Sequence, residues 1–313
     1  MLKYIIIRLI FFLFTLLSIL FINFILIRFI STTVLDVVLV NIENQDRAEF
    51  IVNNNVSVDM WQELYQHFGL NLSPSIAFIT LIKKYLLFDF GQSFFMNKSV
   101  SVLIKEKLLI STSIGIVSLA WIYTLGLWLA IQRILYKNVV FSGFLLVLAI
   151  LFYSIPAFII CDIILSTLNI NSANSLKYLF AIACNSLSGL LFIFYLGVNR
   201  IRMEQSSTYY ICLKVLGVKE DTIIHSYSLR NILLVMLGDF PTILVSVMFS
   251  SSFFLEMILH IDGIGLLSYN SFLNKDYPVI FGIIYISSAI ILVVRLVTDI
   301  LYKYLNPRLN LYD

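Results

Sequence analysis

Apolar residues in this chain run in long, nearly unbroken blocks rather than at one position in three or four. A bilayer core takes about 20 apolar helical residues. Six segments reach that length: Leu9–Ile30, Leu108–Ile131, Val139–Leu165, Tyr178–Val198, Ile232–Leu255 and Val279–Tyr302. A shorter run, Ile76–Ile82, lies between Pro74 and Lys83-Lys84 and is predicted to stay outside the bilayer. The pattern predicts an all-α integral membrane protein with six transmembrane helices. Residues 1–30 form the first helix, 31–107 an extracytoplasmic domain, and 108–313 a core of five helices interrupted by a polar loop at 199–231.

Polar positions refine this. With the N-terminus inside, the cytoplasmic segments hold Lys3, Arg8, Arg133, Lys137, Lys303 and Arg308, plus five Lys/Arg of the long loop. The two short outer loops hold only Lys177 and Lys275. Basic residues collect on the cytoplasmic side, so both termini are expected there, in a cytoplasmic (inner) membrane. Residues 31–107 are left out of that count, because long segments translocate largely regardless of charge. Within them, Asn41–Asn55 reads as loop or weak helix, and Ser57–Phe68 as a short helix ending at Gly69. Two more helical stretches, split by Asp89-Phe90-Gly91, lead into the second span. The basic, apolar N-terminus has a signal-peptide look, but Leu9–Ile27 is long enough to span and no small-x-small site follows. A retained helix is expected.

Composition agrees. The 313 residues are 60% hydrophobic and 12% charged, against roughly 45–50% and about 25% in soluble domains. Mean hydropathy is +0.96. A net charge of +3 gives no footing for nucleic acid, and the expected contact is membrane lipid. Cys161, Cys184 and Cys212 have no ligand-like spacing and read as small buried hydrophobes. His67, His225 and His260 are scattered, so no metal site and no catalytic constellation is expected. No GxxxxGK[ST] phosphate loop is present, so the chain is not itself an ATPase.

The loop between the fourth and fifth spans carries Arg200, Arg202, Lys214, Lys219 and Arg230, with Gly217 near its middle. Tyr209, Leu213 and Leu216 recur at helical spacing with Lys214 on another side, which predicts a short amphipathic helix. Gly217 can end it in a left-handed conformation. Glu220 and Asp221 then begin the next helix, where its dipole favours acids. Two readings stay open: a rigid knob passing force from a cytosolic partner to the spans, or a helix lying in the headgroups.

Ionisable groups inside spans are functional candidates by default. Asp239 sits beside Pro241, which removes a helix hydrogen bond and is expected to leave free carbonyls near the carboxylate. It reads either as the lining of a solute path or as an interfacial acid. Arg295 and Asp299 share a helix face and read as a self-neutralising or a gating pair. Asp162 is expected at the outer interface.

Several short motifs resemble the permease subunits of binding-protein-dependent ABC importers of the dipeptide/oligopeptide/nickel group. They are Phe68-Gly69-Leu70; Asp89-Phe90-Gly91-Gln92-Ser93; Val102 to Leu108 with Ser111-Thr112; Ser154-Ile155-Pro156-Ala157-Phe158; and Leu229-Arg230-Asn231. Glu256, Asp262-Gly263-Ile264-Gly265, Asp276-Tyr277-Pro278-Val279, Gly282 and Asn306-Pro307-Arg308 follow in order. Phe240-Pro241 and Ile261 to Leu267 look most like the Yej-type peptide permeases.

The resemblance implies a type I importer permease carrying coupling and pathway, not catalysis. A second permease subunit, different in sequence, would complete the pathway. A solute-binding protein would dock outside, and cytosolic ABC ATPases would dock on the loop around Gly217, with Tyr209, Leu213, Lys214 and Leu216 as coupling residues. ATP and Mg would act on those ATPases, and this chain would bind no cofactor. Asp239, Pro241, Glu256, Arg295 and Asp299 are the pathway or gating candidates. The chain departs from the group at Leu213 and Cys212, where small residues are usual, at Tyr227 in place of histidine, and in its short connection Asn169–Lys177. A proton-coupled secondary transporter and a structural or assembly protein are the other classes the sequence admits. Against the former, no internal repeat is visible.

Overall fold

The computed structural model describes residues 2–43, 66–69, 71–96, 98–135, 155–168 and 174–305, with Gly143 and Val147. The described residues are almost wholly helical. Their elements are α1 (Leu2–Glu43), α2 (Pro74–Leu86), α3 (Val100–Leu135), α4 (Ala157–Leu168), α5 (Asn174–Gln205), α6 (Thr208–Val215), α7 (Glu220–Ile258), α8 (Ile264–Leu273) and α9 (Tyr277–Leu305).

Five helices are long and apolar enough to cross a membrane: Tyr4–Phe29 within α1, α3, Leu176–Gln205 within α5, α7 and α9. Their 26 to 39 residues exceed what a bilayer core needs. The chain is membrane-embedded. Of the predicted third span, Val139–Leu165, the continuous described part begins at Ile155, within which α4 is a shorter apolar helix. Most of the predicted helix at Ser57–Phe68, the stretch Asn41–Asn55 beyond Glu43, and Asn306-Pro307-Arg308 lie outside the described residues. α1 continues past Ile30 to Glu43, and no glycine or proline between Leu2 and Glu43 stops it.

The chain divides into two compact units. One comprises Met1–Leu109 and Leu267–Val293, the other Ile110–Leu266 and Val294–Asp313. In the first, Phe78 of α2 packs its ring against Phe21 and Phe24 of α1. Tyr85, Phe90 and Tyr285 form an aromatic cluster, with Tyr85 edge-on to both neighbours at 5.0 and 5.1 Å. Gly282 of α9 faces Val100 so closely that a Cβ would lie 2.9 Å from its Cγ1. Asp276, buried just before α9, accepts from the Ser93 hydroxyl at 2.5 Å and the Phe94 N–H at 3.2 Å. Two motifs more than 180 residues apart in sequence are thus one contact.

In the second unit, a core of Ile122, Ile193, Val198, Ile201, Tyr210, Ile223, Ile224 and Met236 joins α3, α5, α6 and α7. Small residues bring α3 and α5 together: a Cβ at Gly197 would stand 2.8 Å from that of Ala130. Membrane helices commonly approach through such small residues.

Candidate functional site

The loop predicted to carry function folds as a helix, a turn and a second helix. α6 is only eight residues long and closes in a Schellman turn. The Val218 N–H reaches the Leu213 carbonyl and the Gly217 N–H the Lys214 carbonyl, both at 3.1 Å. Gly217 has φ +80°, which a side chain would disfavour. A Cβ there would meet nothing within 4 Å. The residue is required for its backbone, and the space outside it is open.

α6 presents two faces. Tyr210 is buried, and Tyr209 and Leu213 pack on the core. Ile211, Val215 and Leu216 point outward, with Val215 82% and Leu216 77% exposed. Leu216 therefore does not share the buried face with Tyr209 and Leu213. It follows the last helical residue, where the chain turns away toward Gly217. Cys212 is likewise exposed, unlike the buried cysteine expected there. Lys214 bonds Glu220 across the turn at 2.6 Å. Glu220 accordingly raises the Lys214 pKa above its ordinary value, but solvent screens the pair and it adds little to stability.

A polar knot ties this knob to both flanking helices. The Tyr209 hydroxyl bonds the Glu204 carboxylate near the end of α5, and lies 3.1 Å from the hydroxyl of Ser228 on α7. Asn231 donates to Glu204 at 3.5 Å, and the Ser207 hydroxyl to the Glu204 carbonyl at 2.6 Å. Burial, then Glu204 itself, pushes the Tyr209 phenol above the usual tyrosine range. These contacts link α6 to α5 and α7 together. Glu204 and Ser228 escaped the sequence reading; an acid closing a span five residues before a loop tyrosine was the available signal.

Glu256, one of the pathway candidates, is buried and hydrogen-bonded on several sides. Its carboxylate accepts from the Ser252 hydroxyl at 2.8 Å and the Gly265 N–H at 2.6 Å. The Ser111 hydroxyl also bonds it, and itself accepts the Ile264 N–H at 2.9 Å. A Cβ at Gly263 would collide with the carboxylate, and one at Gly265 would lie 2.7 Å from Phe253 Cα. The Asp262-Gly263-Ile264-Gly265 sequence is thus a glycine-lined seat for a carboxylate at the start of α8, where the helix dipole favours negative charge.

The Pro241 region differs from expectation. Leu237–Asp239 forms a 3₁₀ turn, and the Phe240 N–H takes the Leu237 carbonyl that proline cannot serve. That carbonyl is not free. Asp239 is half-buried beside Gly238, which faces open space, and lies in electrostatic reach of Tyr123. Farther along α7, Ser246–Ser251 is a π-helical turn, and Asn185 of α5 donates to its Val247 carbonyl at 3.1 Å. Arg295 is exposed and Asp299 half-buried on α9. Asp162 is exposed. Cys161 and Cys184, 23 residues apart, come within hydrogen-bonding reach in the core of α4 and α5. No group of three or more metal-ligating side chains occurs among the described residues.

The profile of the family described as "Binding-protein-dependent transport system inner membrane component" matches residues 122–311, which include the knob, its knot and the Glu256 seat. The chain belongs to this family. Three relatives in it are similar over most of their length. The "Peptidoglycan transport system permease protein YejB" of Agrobacterium fabrum is 28% identical over 278 residues, 80% of this chain and 76% of that protein. The "Inner membrane ABC transporter permease protein YejB" of Escherichia coli O157:H7 is 28% identical over 273 residues, 79% and 75%. The "Dipeptide transport system permease protein DppB" of Bacillus subtilis is 25% identical over 268 residues, 82% and 86%.

Proposed function

We propose that this chain is one of two permease subunits of an ATP-driven importer of peptides or peptide-like solutes, with α6 as the docking point for a cytosolic ABC ATPase. One observation carries the reading. In a chain of this family, an eight-residue helix exposes Ile211 and Val215, and its cap Leu216 lies beside them, while the Tyr209 knot ties the helix's other face to two long membrane helices. An exposed apolar patch on a rigid lever is what a force-transmitting contact requires. The names of the relatives support peptides as the solute class.

In this proposal the chain crosses the cytoplasmic membrane six times, with both termini in the cytoplasm and residues 31–107 outside. The second subunit is a different permease, and a solute-binding protein delivers the solute to the outer face. ATP and Mg bind the ATPase, and this chain holds no cofactor. Asp239 and Pro241 border the solute path, while Arg295 and Asp299 bias its gate.

The experiment is purification from membranes with quantified partners, followed by uptake in vesicles. An ATPase and a second multi-span protein are expected to co-purify with the wild type. Val215→Asp, at an exposed site, is expected to lose the ATPase and ATP-dependent uptake while the permease stays folded. Uptake driven by a proton gradient without ATPase would overturn the reading.

A further inference from the structure

We propose that a groove between α3 and α7 holds an anionic phospholipid, with its phosphate at Arg230 and its acyl chains along the apolar wall beyond. Arg230, Leu233, Leu237, Phe240 and Leu244 of α7 form one wall. Their spacing of three and four places them on a single helix face. Ile116 and Leu119 of α3 stand opposite, and the cavity measures about 850 Å³. From Arg230 to Leu244 the helix rises about 21 Å, at ~1.5 Å per residue. That exceeds one leaflet, half of a hydrocarbon core about 30 Å thick.

Charge selects the occupant. Arg230, at the C-terminal edge of the 199–231 loop, is exposed, and no acidic side chain pairs with it among the described residues. His225 joins it in the lining, with Asp221 3.8 Å from its ring. An uncompensated guanidinium at the mouth of an apolar slot matches a phosphodiester above two acyl chains.

Native mass spectrometry of the full chain, with the subunits that purify with it, tests this using phosphatidylglycerol and phosphatidylcholine of identical acyl chains. The wild type is expected to retain phosphatidylglycerol about fivefold better, the scale of one basic group against an anionic lipid. Arg230→Gln, an exposed change that leaves the fold alone, should equalise the two lipids. Leu237→Trp should fill the slot and lower retention of both. A photocrosslinker at position 233 should label lipid. Equal retention by the wild type, a preference surviving Arg230→Gln, or crosslinking of position 233 to a polypeptide would each overturn the proposal.

Discussion

The carboxylate of Glu256 accepts the backbone N–H of Gly265 at 2.6 Å, nine residues away across a sharp turn. This contact explains why glycines occupy positions 263 and 265, where any side chain would meet the carboxylate or the Phe253 backbone. Gly263→Ala is expected to destabilise the purified protein more than Glu256→Gln. The former forces the turn open, and the latter leaves a buried donor unpaired at about 1–3 kcal/mol. Thermal unfolding in detergent ranks the two; equal midpoints would remove the seat from the account.

Tyr209→Phe deletes the hydroxyl between Glu204 and Ser228 but keeps the ring on the core. A stability loss of about 1 kcal/mol is expected. Coupling should suffer more than stability, seen as ATP hydrolysis that no longer responds to solute while the ATPase stays bound. Normal solute stimulation in this variant would show that the knot is only structural.

At Gly217 the cost is one of backbone alone. Ala or Val there must hold a left-handed conformation at roughly 1–2 kcal/mol, whereas Asn should be tolerated. Uptake assays on the three variants are expected to rank Asn above Ala above Val. An inactive Asn variant that still binds the ATPase would show that the open space beside Gly217 matters as well as its φ.

Asn185→Leu removes the amide that serves the Val247 carbonyl in the π turn. A loss of about 0.6–2 kcal/mol is expected, localised to residues 246–251. Hydrogen exchange by mass spectrometry should show faster exchange there and unchanged exchange in α3. Uniform acceleration across α7 would point to a general loss of packing instead.

Much of this protein was legible in advance because its signals are local. Blocks of apolar residues as long as a bilayer is thick can only be spanning helices, and five of the six predicted appear as such among the described residues. Gly217 ending the loop helix was equally local, since φ +80° is a property of one residue. Leu216 was misassigned because helical spacing continues on paper after the helix has stopped.

The sequence by itself therefore determined the membrane class, the helices and the short knob between α5 and α7. Only the tertiary structure decided what the polar residues do. Spacing along the chain does not show that Ser111, Ser252 and Gly265 surround Glu256, or that Ser93 meets Asp276 across 183 positions. Burial of a polar group is affordable only when distant groups supply hydrogen bonds, and which groups arrive is set by packing rather than by spacing along the chain.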